Sequence, residues 1–337
     1  MPATIRDVAQ RAGVSPSTVS AYLNRTKYVS PDLAERIREA VEALDFHPSR
    51  AARALRQRTR SLAFLVPDIA NTGYVRSLRA ASEVARGRGY TLLLLDTLNA
   101  ARSVDEAVSQ LIEMRVDGVL LALTWDLARD EVLSRLRAYE IHAVGISGAH
   151  VTPGIDCFVS NQVEAGRRLA RYLLRLGHRE ILFIGPGGST NARLRFAGMT
   201  EACQAAGAGT PGLAWRPTDD YGPGAGYRAV VTALGDGVPF TAVVAFNDAI
   251  ADGALAALAD QGLAVPEDVS FATFGNAHVE YHRPRITSVV YDEEAIGRHG
   301  AQRLIDRIEG RCDAPPAVTY FEPSLLIQAS TRALTRA

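Results

Sequence analysis

The first apolar residues of the chain recur at the spacing of an α-helix. Positions i, i+3, i+4 and i+7 of this stripe are Ile5, Val8, Ala9 and Ala12. Thr4 stands where a helix N-cap is needed, and Gly13 stands where the helix would end. The pattern therefore predicts a short amphipathic helix at the start of the chain.

Two further helices share one start signal. Ser15-Pro16 and Ser30-Pro31 each place a hydroxyl N-cap before a proline at the first helical position, where the missing N–H costs nothing. Val19 and Leu23 give the first of these helices a side to bury. The apolar face of the other helix comprises Leu33, Ile37, Val41 and Leu44. A helix, a glycine turn and a serine-capped second helix predict a helix-turn-helix, which the third helix covers.

From residue 61 onward, short apolar runs alternate with amphipathic stretches. The runs cover 62–66, 91–95, 118–121, 143–146, 181–184, 242–246 and 269–274. Runs that are continuous rather than alternating are typical of strands covered on both faces. Helical stretches fall between them, at 164–176, 195–206 and 249–261 among others. The alternation predicts an α/β fold with parallel sheets, and the series restarts after about residue 160, which predicts two similar lobes.

Charge is distributed unevenly along the chain, although the formal net charge is zero. Residues 1–60 hold 11 Arg and Lys against 6 Asp and Glu, so this segment is near +5. The rest of the chain holds 26 against 31 and is near −5. Because a basic module of this kind is typical of nucleic-acid binding, the neutral total conceals a predicted DNA-binding segment.

Other function classes find little support in the sequence. Cys157, Cys203 and Cys312 lie far apart, without C-x-x-C spacing or a nearby histidine pair, so we expect buried free thiols, no metal and no cofactor. Residues 145–149 do not read G-x-S-x-G, and residues 185–189 lack the G-K-[ST] ending of a P-loop, so we expect no enzyme. Neither a leader-like start nor an apolar run of membrane-spanning length is present, so we expect a cytoplasmic protein with no membrane partner.

Residues 4–24 follow a more specific pattern than helical spacing requires. They read T-I-R-D-V-A-Q-R-A-G-V-S-P-S-T-V-S-A-Y-L-N. The segment resembles the headpiece of the LacI/GalR repressors, T-I-x-D-V-A-x-x-A-G-V-S-x-x-T-V-S-x-x-L-N. The resemblance implies that the second helix presents its N-terminal half to the major groove of DNA. The expected DNA contacts of the headpiece are Thr4, Ser15, Pro16, Ser17, Thr18, Ser20, Ala21, Asn24, Tyr28 and Ser30.

Residues 48–60 form a basic linker. Its alanines favour a helix, but the segment is too short to be stably helical alone in water, and its five arginines repel one another, so we expect it to fold on DNA. The linker resembles the hinge helix of the same family, in which a leucine enters the minor groove. The resemblance implies that Leu55 is this wedge, with Arg50 and Arg53 as further DNA contacts. The alternative is that Leu55 packs on the core in the free protein.

The resemblance extends to the end of the chain. Residues 176–181, 195–199, 246–248 and 265–270 are similar to family landmarks and follow the family's order. The likeness implies a type I periplasmic-binding-protein-like core of two α/β lobes, joined by the hinge helix to the small all-α headpiece. A ligand would lie between the lobes at the carboxyl ends of the strands. The expected domains are a headpiece of 1–47, a hinge of 48–60 and a core of 61–337, with an N-lobe of 61–160 and 292–321 and a C-lobe of 161–291 and 322–337.

Strand ends and family landmarks together nominate the ligand contacts. Arg195 and Asn247 match the family's effector-contacting arginine and asparagine, the alternative being a structural salt bridge and a turn amide. Tyr221 aligns with an aromatic residue that stacks on a sugar ring in sugar-binding members, the alternative being a plain wall of the cleft. The expected effector contacts are Asn71, Thr72, Tyr74, Thr124, Trp125, Asn161, Arg195, Tyr221, Asn247 and Asn276.

Two departures from the family pattern bear on the effector. Gly275-Asn276 stands where the family usually has an acidic residue, and Ser160-Asn161 replaces a common Asp-Asn. Because carboxylate acceptors are absent at these positions while Arg195 is kept, the two departures favour an anionic effector over a neutral polyol. The effector class, a sugar or a sugar-derived or anionic metabolite, stays open. Whether such an effector induces or corepresses stays open.

The expected function is therefore a sequence-specific transcriptional regulator, a repressor whose DNA affinity is set by a small-molecule effector. We expect it to bind a pseudo-palindromic, double-stranded operator as a homodimer, since the chain stops at Ala337 without the leucine heptads of tetrameric members. The alternative is a solute-binding protein of the same core fold with no regulatory role. A basic helix-turn-helix would have no purpose in such a protein.

Overall fold

The computed structural model describes residues 5–24, 27–44, 59–67, 69, 72–97, 101–123, 129–148, 151–207, 212–275 and 282–334. By its internal contacts the chain divides into two units, Met1–Thr59 and Arg60–Ala337. The predicted hinge helix lies outside the described residues except for its last two positions, so it stays a prediction.

The first unit is a bundle of three short helices. They are α1 (Ile5–Ala12), α2 (Pro16–Asn24) and α3 (Pro31–Ala43). Gly13 ends α1 with a φ of +65°, a left-handed conformation that glycine adopts without strain. The buried core consists of Val8, Ala9, Ala12, Val19, Ile37 and Ala40. The helix-turn-helix predicted from apolar spacing and serine caps is confirmed.

The second unit alternates strands and helices. In chain order they are β1 (Ser61–Val66), α4 (Thr72–Gly87), β2 (Thr91–Asp96), α5 (Ala101–Glu113), β3 (Gly118–Leu123), α6 (Asp130–Ala138), β4 (His142–Gly148), β5 (Asp156–Ser160), α7 (Gln162–Arg175), β6 (Glu180–Pro186), α8 (Thr190–Ala205), β7 (Gly212–Thr218), α9 (Pro223–Gly235), β8 (Ala242–Ala245), α10 (Asp248–Asp260), β9 (Ser270–Phe274), β10 (Thr287–Val290), α11 (Glu293–Ile308), β11 (Val318–Phe321) and β12 (Ser324–Leu326).

These strands form two six-stranded sheets. The order is β11-β5-β4-β3-β1-β2 in the first and β12-β10-β9-β8-β6-β7 in the second. We refer to the first sheet and its helices as the N-lobe and to the second as the C-lobe. The chain passes between them after β5, after β10 and after β11. The predicted two-lobed α/β fold is confirmed, with one difference, because the edge strand β12 pairs antiparallel to β10.

The apolar runs of the sequence do not predict five of these strands, β5, β7, β10, β11 and β12. One reason is that some of these strands bury polar residues. In β10, Thr287 and Ser288 are fully buried. The Thr287 N–H donates to Ser330 Oγ at 2.8 Å, and its hydroxyl donates to the Gln328 carbonyl at 3.2 Å. Strand β5 opens on Asp156, which is 2% exposed and bonded by arginines of α11. Strand β11 lies at a sheet edge with mostly exposed residues, so it needs no apolar run.

Glycines let two helix pairs approach closely at the ends of the strands. A Cβ added to Gly166 of α7 would lie 1.9 Å from the Arg195 carbonyl oxygen on α8, and one added to Gly198 would lie 1.9 Å from the Val163 carbonyl oxygen. In the N-lobe, a Cβ on Gly297 of α11 would lie 2.1 Å from the Ser77 carbonyl oxygen on α4. These close approaches fix the main-chain positions of Arg195 and Ser77.

Candidate functional site

The N-terminus of α2 carries a group of hydroxyls. Ser15 caps the helix, because the Thr18 N–H donates to Ser15 Oγ at 3.1 Å. The same oxygen lies 2.6 Å from Ser17 Oγ and 2.8 Å from Thr18 Oγ1. Ser15, Pro16 and Ser17 are exposed, and Thr18 is half-buried. Hydroxyls at the positive end of a helix suit phosphate oxygens and base edges.

Other expected DNA contacts lie on the same unit. Ser20, Ala21 and Ser30 are half-buried, and Tyr28 is 89% exposed. Asn24 is the last residue of α2. An arginine of α3 holds the motif together, since Arg36 donates to the Ala12 carbonyl at 2.7 Å. Thr4, Arg50, Arg53 and Leu55 lie outside the described residues.

Arg195 of α8 is the centre of the C-lobe side of the site, and it is only 7% exposed. Its Nε donates to Gln162 Oε1 at 2.7 Å, and its Nη1 donates to the Phe246 carbonyl at 2.6 Å. The guanidinium carbon lies 4.4 Å from the ring centre of Phe246, 4.6 Å from that of Phe274 and 5.4 Å from that of Tyr291. In the described part of the chain no carboxylate forms an ion pair with it. A guanidinium has five N–H donors, so donors remain for a ligand.

Gln162 and Tyr291 connect this arginine to the segments that pass between the lobes. Gln162 is the first residue of α7, and Tyr291 lies just before α11. The Tyr291 hydroxyl donates to Gln162 Oε1 at 2.9 Å, the oxygen that also accepts from Arg195. Burial raises the pKa of Tyr291 to about 12, although the charge of Arg195 opposes the shift. The tyrosine therefore stays a neutral donor at physiological pH.

Asn247 and Tyr221 lie beside this cluster. Asn247 caps α10, because its Oδ1 accepts from the Ile250 N–H at 2.8 Å, and its Nδ2 donates to the Tyr221 carbonyl at 3.2 Å. The Tyr221 ring packs edge-on against Phe246, with ring centres 5.8 Å apart. The amide of Asn247 thus has structural partners, as the alternative of a turn amide anticipates, and one amide hydrogen is left for a ligand.

The remaining expected effector contacts are less concentrated. Asn161 caps α7, accepting from the Glu164 N–H at 3.0 Å, and its Nδ2 lies 3.5 Å from Glu322 Oε1. Tyr74 is buried in the N-lobe core. Thr72 is the first residue of α4. Asn71, Thr124, Trp125 and Asn276 lie outside the described residues.

The sequence does not single out a carboxylate on the N-lobe side. Glu293, the first residue of α11, accepts at Oε2 from Ser77 at 2.8 Å and from Ser147 at 2.7 Å. Its partners are 216 and 146 residues away in sequence, so no local pattern signals the cluster. The one local signal is a buried polar residue, Ser147, near the end of the apolar strand β4.

An exposed apolar groove runs along the edge of the N-lobe sheet. Val75 of α4 is 45% exposed, and Leu94 of the edge strand β2 is 42% exposed. The groove is lined by Val75, Leu78, Arg79, Ser82, Glu83, Arg86, Leu92 and Leu94. Arg79 Nε and Glu83 Oε1 are 3.7 Å apart on its rim. Large apolar side chains exposed together on a sheet edge and helix are typical of a protein interface.

Candidate metal ligands and thiols are the remaining chemical features of the described residues. Among them, no three His, Cys, Asp or Glu side chains come together as metal ligands would. Cys157 and Cys203 are buried and free, and burial raises the pKa of both thiols. Cys312 is free and half-buried. No helix in the described ranges is long and apolar enough to cross a membrane.

Comparison with known families gives two matches along the chain. Residues 4–49 match the lacI family of bacterial regulatory proteins, and residues 170–331 match a periplasmic binding protein-like domain. Among curated proteins, an HTH-type transcriptional repressor PurR of Escherichia coli O139:H28 is 31% identical over 321 residues, or 94% of this chain and 93% of that protein. A PurR of Glaesserella parasuis is 29% identical over 342 residues, covering 99% of this chain and all of the relative.

Solved structures share the fold. The lac repressor dimer bound to operator and the anti-inducer ONPF is 24% identical, with a TM-score of 0.84 over 99% of this chain and 100% of that one. The complex of the transcriptional regulator CelR with cellobiose is 27% identical, with a TM-score of 0.71 over 97% of this chain and 99% of that one.

Proposed function

This chain belongs to the LacI family of bacterial regulatory proteins, and we propose that it is a transcriptional repressor whose affinity for operator DNA is controlled by a small anionic effector. One combination of features carries the proposal. The basic headpiece has a helix, α2, whose N-terminus is exposed and capped by a hydroxyl, and the two-lobed core has a buried arginine, Arg195, that forms no ion pair with a described carboxylate.

The headpiece supports DNA binding through α2. Ser15, Pro16, Ser17, Thr18, Ser20 and Ala21 line the N-terminal half of that helix. Short side chains let the helix enter the major groove, and hydroxyls both donate to and accept from base edges. The large exposed aromatic surface of Tyr28 suits contact with the sugar-phosphate backbone. Thr4, Asn24, Ser30, Arg50, Arg53 and Leu55 complete the proposed interface.

The core supports a ligand with an acceptor or anionic group. Arg195 is enclosed by three aromatic rings, which remove water and so strengthen its interaction with an anion. Tyr221 packs against the Phe246 ring and Asn247 donates to the Tyr221 carbonyl, which supports both as further ligand contacts. We propose a sugar acid or a similar anionic metabolite, since Gly275 and Ser160 stand where carboxylates would favour a neutral sugar. Among its relatives, CelR binds cellobiose and the lac repressor binds the anti-inducer ONPF.

The homodimer would use the apolar groove of the N-lobe edge. Val75 and Leu94 of one subunit would be buried against the same residues of its partner, which gives the isologous interface typical of twofold dimers. Effector binding would change the angle between N-lobes and thereby the spacing of the two chains at Thr59, where the linkers end and the cores begin. The linker helices would then pair on DNA or separate.

The proposal also fixes where and how the protein acts. A regulator of transcription acts in the cytoplasm, where its operator lies, and it performs no catalytic step. Family membership and the headpiece favour this role over that of a solute-binding protein.

Selection of binding sites from a pool of random DNA duplexes tests the proposal. The full chain should enrich a pseudo-palindromic sequence of two half-sites. A chain that lacks residues 1–59, which form a separate unit, should enrich none. Equal enrichment patterns for the two proteins would contradict the proposed role of the headpiece.

A further inference from the structure

Glu293 is held in one fixed position on the N-lobe side of the space between the lobes. Ser77 and Ser147 both lie within hydrogen-bond distance of its Oε2, and the Ser77 hydroxyl is also 2.9 Å from the Glu293 carbonyl oxygen. Gly297, one turn further along α11, presses against the Ser77 main chain, so α4 and α11 cannot move apart without opening a gap between them. The carboxyl group is therefore preorganised.

The other carboxyl oxygen has no such partners. Both serine hydroxyls approach Oε2, and no described residue donates a hydrogen bond to Oε1. Glu293 is half-buried, so Oε1 is the oxygen of this carboxyl group that stays available to accept a hydrogen bond. The geometry thus leaves one acceptor oxygen of a fixed carboxyl group without a partner among the described residues.

Arg195 is close enough to Glu293 to influence its titration. Burial raises the pKa of Glu293, and the charges of Arg195 and Arg76 act against the rise. Tyr291 stands two residues before Glu293, and its hydroxyl donates to the same Gln162 Oε1 that accepts from Arg195. Arg195 lies on α8 of the C-lobe and Glu293 on α11 of the N-lobe, so Gln162 and Tyr291 connect a donor-rich group of one lobe to the segment that carries an acceptor of the other.

We propose that Glu293 Oε1 is the subsite for a hydroxyl or ammonium group of the effector, whose anionic end binds Arg195. This inference rests on the proposed function, and it narrows the effector to molecules with an anion at one end and a hydrogen-bond donor at the other. Such a molecule would connect the lobes directly. Hydroxy acids and amino acids share this chemistry, and the test separates them.

Four six-carbon probes form a matched set for calorimetric titration of the full chain. D-gluconate carries a carboxylate and hydroxyls, and 6-aminohexanoate carries a carboxylate and an ammonium group. Hexanoate carries the carboxylate alone, and D-glucitol carries hydroxyls alone. We expect gluconate or 6-aminohexanoate to bind at least about 10-fold more tightly than hexanoate and glucitol, because only they satisfy both ends of the cleft.

Substitutions then assign the donor subsite. Glu293→Gln should weaken the better probe by about 10-fold to 100-fold, while its amide oxygen can still accept from Ser77 and Ser147. Glu293→Asp should weaken it similarly, since the charge is kept but withdrawn by one methylene group. Glu294→Gln is the matched control, because Glu294 is exposed on the same turn, and it should leave binding unchanged.

Three results would overturn the inference. They are hexanoate binding as tightly as gluconate and 6-aminohexanoate, unchanged affinity in both Glu293 variants, and no binding by any of the four probes. Operator binding by the same preparations separates this failure from a failure of the proposed function. A chain that selects DNA but shows any of these three results would remain a regulator with a different effector chemistry.

Discussion

Substitution of Gly166 by alanine should displace the helix that carries Arg195. The new Cβ would lie 1.9 Å from the Arg195 carbonyl oxygen, whereas ordinary van der Waals distances begin at 3.4 Å, so α7 and α8 must separate by about 1.5 Å. Overpacking of this kind costs up to about 3 kcal/mol. Alanine recovers about 1 kcal/mol of helix propensity. The expected net decrease in the free energy of unfolding is therefore about 2 kcal/mol.

Thermal unfolding followed by circular dichroism measures this decrease. For a core of this size, about 2 kcal/mol corresponds to a fall in Tm of roughly 4–8 °C. Gly235→Ala is the matched control, since Gly235 also lies in a helix but has no atom within 4 Å of the added Cβ. It should leave Tm unchanged or raise it slightly.

The same two helices, α7 and α8, are also in close contact at Gly198. Gly198→Ala meets the Val163 carbonyl oxygen at 1.9 Å across the same helix pair, so it should destabilise similarly. Once one alanine has separated the helices, the other should cost less, and the double variant should be more stable than the sum of the two single effects predicts. A Gly166→Ala protein that unfolds at or above the wild-type temperature would refute the close approach of α7 and α8.

Three further predictions concern stability, DNA affinity and specificity. His178 is 1% exposed, and its Nε2 donates to the Arg332 carbonyl at 3.1 Å. Burial lowers the pKa of His178 from 6.5. The stability that the neutral histidine contributes should therefore be complete above about pH 6.5 and should be lost as the pH falls below that value. Unfolding curves of wild type and His178→Gln between pH 5 and 8 would show the same slope if the histidine had no such role. Leu55→Ala should weaken operator binding by a few kcal/mol, because it removes the minor-groove wedge, and it should not alter probe binding to the core. Equal operator affinities of the wild type and the variant in a gel-shift titration would contradict the wedge. Ala21 should leave one base pair of each half-site weakly specified because its side chain is too short to read it, and strong discrimination at every position in binding-site selection would oppose this.

The fold follows from the sequence where burial is simple. Continuous apolar runs predict β1, β3, β6 and β8 because these strands are covered on both faces. Apolar runs do not predict strand β10, because it buries the polar residues Thr287 and Ser288. The C-terminal segment supplies hydrogen-bond partners there, such as Ser330 for Thr287. A hydropathy pattern cannot register polar groups whose cost of burial is offset by hydrogen bonds from distant residues.

The candidate site divides in the same way. Arg195 and Asn247 can be nominated because each stands in a motif that is local in sequence. Gln162, Tyr291 and Glu293 cannot, because their meaning comes from hydrogen bonds between segments more than a hundred residues apart. Strand ends predict the edge of the sheet at which ligands bind, but only the three-dimensional structure shows which side chains face each other there.

Salt titration of operator binding by the full chain tests the central claim most directly. If the arginines of the headpiece and linker neutralise six to ten phosphates in a dimer, affinity for the selected duplex should fall by about 10³-fold to 10⁵-fold between about 50 and 200 mM salt. Arg50→Ala or Arg53→Ala should reduce the logarithmic slope by up to about one for each phosphate that is no longer neutralised. Binding that is absent, or that does not respond to salt, would contradict a DNA-binding regulator that works through its basic N-terminal segment.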